Sequence, residues 1–197
     1  MKRRFRLLVL AAAAAGLHAC SGEAKRERAA VADSAVSRDV LLRAFQSQST
    51  RVDTLSNAVD SRDQLVQEFI VALEKRDTAT LRRLAINRAE FAYLYYPTTP
   101  QSLPPYELEP GLLWELLQHN SERGIRKALT TSGGEPFGFM SYQCDSLPSH
   151  EGLNYVWGPC TVLRRTERGD TSHIRMFTQV IERDGRWKFL NYSNRID

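Results

Sequence analysis

Thiols, imidazoles, carboxylates and phenols are the groups in this 197-residue chain that could carry chemistry, and their spacing narrows what that chemistry is. Three cysteines occur, Cys20, Cys144 and Cys160. Thiolates bind metals, but no Cys-x-x-Cys or His-x-x-x-His accompanies them and the histidines are widely separated, so no metal centre is expected. Asp145 and His150 lie near Cys144, and His150 with Glu151 could form an acid/base pair, yet the stretch 146–152 with Pro148 reads as an exposed loop, and no catalytic residue is assigned there. His173 and Arg175 share one face of an alternating strand with Phe177, Gln179 and Ile181; that face either lines a polar pocket or meets solvent. Phe91, Tyr93, Tyr95 and Tyr96, joined by Tyr106, form the densest aromatic cluster, which is either a ligand-stacking wall or core with one exposed ring. Tyr93, Tyr96, His173 and Arg175 are therefore the candidates for lining a pocket. There is no Gly-x-Ser-x-Gly elbow and no phosphate loop, and no cofactor is expected.

The amino terminus carries the clearest address. Lys2, Arg3, Arg4 and Arg6 precede an apolar stretch from Leu7 to Gly16, which closes with Leu17-His18-Ala19-Cys20. That is the charged, apolar, small-residue order of a secretory signal over residues 1–19. The apolar stretch is about a dozen residues, short of the roughly 20 that a membrane-spanning helix needs. Leu17, Ala19 and Cys20 resemble the lipobox of bacterial lipoproteins, with His18 a departure from the usual small or hydroxylated residue. The resemblance implies that Cys20 becomes the first mature residue and receives a diacylglycerol and a further acyl chain, such as palmitate. Ser21 after the cysteine is similar to the arrangement that allows export to the outer membrane, facing the periplasm. Several acyl chains anchor firmly, because each buried CH₂ contributes about 0.8 kcal/mol.

Export changes how the rest is read. The chain has 27 basic and 23 acidic residues and a formal charge of +4, but four of the basic residues sit in the signal, leaving 23 against 23. Nucleic acid as a partner needs a net or clustered positive surface. The nearest candidate, Arg164, Arg165 and Arg168, is interrupted by Glu167 and followed by Asp170, and it reads as a solvated strand end. In an oxidising compartment Cys144 and Cys160 read as a disulfide, worth roughly 3 kcal/mol on the chain-entropy estimate.

The elements that must position these groups follow from periodicity. Residues 20–60 form a lipidated tether, polar to about Arg38, with an amphipathic helical segment over 39–60 that packs on the domain, pairs with a partner or stays partly disordered. Residues 61–197 form the domain. Ser61 and Gln64 have capping-box spacing before Leu65, Val66, Phe69, Ile70 and Leu73, which predicts a helix over about 62–75. Asp77 or Thr78 caps a second helix with Leu81, Leu84 and Ile86, and Asn87 with Glu90 caps a third before Phe91. Pro97, Pro100, Pro104 and Pro105 impose a loop. A longer helix starts near Pro110, carries Leu112, Leu113, Leu116, Leu117, Ile125, Ala128 and Leu129, and ends at Gly133-Gly134. Strand-like runs follow over 137–144, 153–165, 171–182 and 186–193, with Asp184-Gly185 as a hairpin turn. Helices followed by an antiparallel meander indicate α+β.

The run from Phe69 to Leu84 resembles the opening of the nuclear transport factor two-like superfamily, and Gly185-Arg186-Trp187-Lys188-Phe189 is similar to its last hairpin. The resemblance implies N-terminal helices packed on a curved antiparallel sheet of about four strands, a cone enclosing a pocket, with Asp77 as a turn residue. Some members bind ligands and others are isomerases. The expected function is thus a non-catalytic lipoprotein domain on the cell envelope, held to the membrane by lipid on Cys20, that binds a small apolar ligand or an envelope protein. The alternatives are an isomerase- or dehydratase-like enzyme, or a helix-pairing role for residues 39–60.

Overall fold

Apolar residues at helical spacing recruit the segment before Ser61 into the folded unit. The computed structural model describes residues 36–145, 147–166 and 168–192; the expected signal, residues 1–19, and the expected lipidation site Cys20 lie outside them. Helix α1 (Arg38–Gln46) buries Phe45, and the chain after it buries Leu55, Ala58 and Val59. Val59 pairs with Trp187, N–H to carbonyl in both directions at 3.2 and 2.9 Å. The described residues from Arg38 onward form one compact unit.

Helix α2 (Arg62–Glu74) begins where Ser61 accepts the Gln64 N–H at 3.1 Å and buries its predicted stripe. Asp77 caps α3 (Thr78–Arg83) by accepting the Thr80 N–H at 3.0 Å. Asn87 and Glu90 form a complete capping box on the short α4 (Arg88–Glu90). The chain then widens into a π-helix over Phe91–Tyr95, its Tyr96 N–H donating to the Phe91 carbonyl at 2.8 Å. After the proline loop, α5 (Pro110–Ser132) buries Trp114, Leu117, Ser121, Ile125 and Ala128, one every three or four residues, and leaves Leu112 and Leu116 about half exposed.

Among the described residues the four expected extended runs become six strands, and a seventh forms outside them; all pair antiparallel, in two sheets. The chain is α+β, with β1 (Phe139–Cys144), β4 (Cys160–Arg165) and β5 (Thr171–Ile174) in one sheet, ordered β1-β4-β5. β2 (Ser149–Glu151), β3 (Asn154–Trp157), β6 (Phe177–Arg183) and β7 (Arg186–Tyr192) make the other, ordered β2-β3-β6-β7. The run 153–165 breaks at Gly158-Pro159, where the chain changes sheets. A Cβ at Gly158, whose φ is 147°, would sit 2.4 Å from the Thr178 carbonyl oxygen, so glycine is required. The run 171–182 breaks between Ile174 and Phe177 for the same change of sheet. The 146–152 loop is corrected too, because Ser149–Glu151 is a strand paired with β3 through the Gly152-Leu153 turn. Asp184 and Gly185 take φ of 52° and 73°, which closes the β6–β7 hairpin as expected.

Cys144 and Cys160 face each other across β1 and β4 and form the disulfide. The four-stranded sheet is covered on both faces. Val180 and Phe189 meet α2, where Phe69 packs against Phe177, Phe189 and Tyr192 at 5.6–5.7 Å between ring centroids. Val156, Ile181 and Leu190 meet the π-helix, α1 and the start of α5.

Candidate functional site

Arginines at the end of β4 face hydroxyl groups at the end of α5 across a cleft of about 550 Å³. One wall is the last turn of α5 and the loop to Phe137; the other is the end of β4 and its tight turn toward β5. Gly133 ends the helix there, its N–H on the Leu129 carbonyl, and Arg76 reinforces the end by donating to the Leu129 and Gly133 carbonyls at 3.2 and 2.9 Å. The turn is fixed by the Thr166 N–H donating to the Asp170 carbonyl at 2.7 Å and the Gly169 N–H to the Thr166 carbonyl at 2.9 Å. Arg164 crosses the cleft, donating to Ser132 Oγ at 3.2 Å with its guanidinium 5.1 Å from the Phe137 ring centroid. Arg165 and Arg168 also line it. These arginines stand at an exposed strand end, as expected, and there they line one wall of a concave, polar surface. The wall opposite comes from residues some thirty positions earlier, which no local pattern displays.

A second cleft, of about 220 Å³, lies between α3, α4 and α5 over Trp114, Leu117 and Ile125. Its rim carries the two-pronged Arg82–Glu122 pair at 2.8 and 2.9 Å. That pair holds the Glu122 carboxyl below the usual carboxylate range.

Two buried polar groups lie away from both clefts. Glu90 and Lys188 are an ion pair within the core, with Lys188 Nζ 2.9 and 3.1 Å from the two carboxylate oxygens. Glu90 also accepts the Ser56 N–H and hydroxyl at 2.6 and 2.7 Å and the Asn87 N–H at 2.8 Å. Burial pulls Lys188 below the ordinary lysine value and the Glu90 carboxylate opposes that. Such a saturated set locks the chain before α2, α4 and β7 together; it leaves no free group for a reaction.

The other group is Glu151, buried on β2 while the neighbouring His150 points to solvent and packs edge-on against Tyr155. Strand alternation thus puts His150 and Glu151 on opposite faces, in keeping with the reading that assigns no catalytic pair there. Burial pushes the Glu151 carboxyl up, with hydrogen bonds from Thr99 and Ser149 opposing, and one carboxyl oxygen has no partner. The Tyr95 phenol is raised as well, first by burial and then by the Glu151 charge. Asn154 braces this region by donating to the Leu94 and Glu151 carbonyls at 2.7 and 3.1 Å.

The four candidate pocket residues do not converge. Tyr96 is buried and donates its hydroxyl to the Leu108 carbonyl at 2.8 Å, while half-buried Tyr93 donates to the Gln46 carbonyl at 3.1 Å. Both serve as core and clamps on α1 and the proline loop, around Phe91. His173 and Arg175 are exposed on β5 and the link after it, and the sheet change separates them from Phe177 and Ile181, which are buried. Among the described residues no three His, Cys, Asp or Glu side chains gather as metal ligands, and no helix is long and apolar enough to cross a membrane. No protein-family model, curated protein or solved structure matches the chain.

Proposed function

We propose that this is a lipid-anchored bacterial envelope protein whose α+β domain binds a ligand in the cleft between the end of α5 and the β4–β5 turn. The cleft carries the reading: a concave site of about 550 Å³ is within the range of small-molecule sites. Its polar lining shifts the expected ligand from an apolar one to a polar one. The signal order at residues 1–19 and the lipobox-like Leu17-His18-Ala19-Cys20 support anchoring through Cys20, at the outer membrane facing the periplasm. The paired helices α2 and α3 before the sheet, and the closing hairpin, favour a distant relationship to the nuclear transport factor two-like cones. The rings of Phe69, Phe177, Phe189 and Tyr192 fill the space between α2 and the sheet, which moves the binding site to the surface.

Two substitutions test the reading. C20A abolishes lipid labelling and membrane retention; unchanged retention overturns the anchor. Mild purification of the lipidated protein, followed by mass spectrometry, recovers a ligand that T131W, which fills the cleft, no longer holds. Equal recovery from both proteins, or from neither, overturns the site.

A second reading, an isomerase-like enzyme, is favoured by two buried groups, the Glu151 carboxyl and the Tyr95 phenol, a base and a donor of the types that proton abstraction uses. Neither group lines the cleft, so binding without turnover ranks first.

A further inference from the structure

We infer that the outward face of α5 docks on an anionic lipid bilayer, the one to which Cys20 would hold the chain; the inference rests on the anchor reading above and adds which face meets the membrane. Behind its buried stripe, α5 presents Leu112, Leu116, His119, Arg123, Arg126 and Lys127, all exposed. At about 100° per residue these six fall within an arc of about 100°, a stripe about 22 Å long. Its first half is apolar, with Leu112 and Leu116 about half exposed. Its second half is cationic, and Arg123, Arg126 and Lys127 line a hollow of about 350 Å³. The three cations are unspent within the protein: among the described residues none of them is in an ion pair. Arg126 is felt at Glu122, but that carboxylate is already taken by the two bonds from Arg82, and Glu115 stands at the margin of the stripe.

A line of leucines and cations along one helix suits a bilayer surface, where phosphates meet the charged heads and the acyl boundary just beneath takes the apolar side chains. The mature chain counts 23 basic against 23 acidic residues, so its attraction to anionic lipid depends on where the cations sit and not on total charge. The route of the chain is an independent observation. The segment leading to Cys20 joins the domain at α1, where Leu42 and Phe45 pack in one cluster with Leu113 and Trp114 at the start of α5. Eighteen residues separate Cys20 from Arg38, a reach of at most about 60 Å. That reach lets a face beside α1 lie on the bilayer that holds the lipid, and contact along α5 would fix which side of the domain, and so which mouth of the ligand cleft, faces away.

The experiment titrates ¹⁵N-labelled mature chain, from residue 20 with C20S, with two sets of vesicles at low ionic strength, one of phosphatidylcholine and one of equimolar phosphatidylcholine and phosphatidylglycerol. Binding to the second set alone is expected, and a gadolinium-chelating lipid there should broaden amide signals most along residues 112–127. Each Lys or Arg at an anionic surface strengthens binding about fivefold, so R123Q/R126Q/K127Q should cut the partition coefficient by about a hundredfold. L112S/L116S should weaken binding and leave its salt dependence unchanged. Equal binding to both sets, binding to neither, or binding that survives in a folded R123Q/R126Q/K127Q variant overturns the inference. Shifts along 112–127 with soluble polyglutamate while both vesicle sets stay silent overturn it too, and give the face to an acidic protein. The chain used carries no lipid, so these outcomes do not depend on the anchor; a high-salt wash strips chain held by α5 alone and keeps the C20A test separate.

Discussion

A carboxyl group enclosed within a protein ionises less readily than one in water, because burial penalises the charged form. Glu151 is in that position, with its value raised above that of a free side chain. The folded state therefore keeps the proton over a range where the unfolded chain has lost it. This contribution to stability is complete below the ordinary carboxylate value, about 4.3, and is lost as pH rises through the raised folded value. The urea midpoint should fall over that range in the natural protein, and E151Q should flatten the fall; parallel profiles would remove Glu151 as its source. Lys188 poses the opposite problem, a charge that is tolerable only with its partner. K188M would leave the Glu90 carboxylate buried without its cation, at an expected cost of about 3–5 kcal/mol. E90Q/K188M should lose less than K188M alone, and chemical denaturation of both variants checks the order.

At the scale of elements, what could be read from the sequence was whatever local chemistry decides. Ser61, Asp77 and Asn87 cap helices as their spacing implies, and Asp184-Gly185 turns the last hairpin, because each contact spans only a few residues. The class α+β and the disulfide pair were legible for the same reason, one from the change of period and the other from counting thiols. What was not legible depends on distant partners. The strand at Ser149–Glu151 has too few residues to show an alternation, and the π-helix is set by packing of Phe91 against Phe45, Tyr96 and Trp114. Arg62 is a further case. A cation in the first turn of α2 opposes the helix dipole. The structure supplies its reason: the guanidinium lies 4.8 Å from the Trp157 ring centroid, 5.6 Å from Tyr142 and 5.8 Å from Trp187, and so ties α2 to both sheets. The arginine wall of the cleft escaped notice likewise, since its identity as a wall depends on the end of α5.

In the unit that begins at Arg38 the four-stranded sheet is packed on both faces, and one consequence concerns where the domain begins. A boundary at Ser61 follows from the sequence, since the strong helical pattern starts there. Yet Phe45 and Leu55 complete the cluster on one face of the sheet, and Val59 both enters the cluster on the other face and pairs with Trp187 on β7. Burying a Val, Leu or Phe side chain contributes about 1.5–3 kcal/mol, so these three together are worth roughly 4.5–9 kcal/mol. A domain of this size is stable by only about 5–15 kcal/mol in all. Removal of residues 39–60 would also strip Ser56 from the buried Glu90–Lys188 set and uncover Phe91. A chain starting at Ser61 should therefore fail to show a cooperative urea transition, whereas one starting at Ser37 should unfold with the midpoint of the chain from residue 20. Far-UV circular dichroism through a urea series separates the two outcomes. Cooperative unfolding of the Ser61 chain at an unchanged midpoint would show that residues 39–60 lie on the domain without stabilising it, and would return the helix-pairing role to contention.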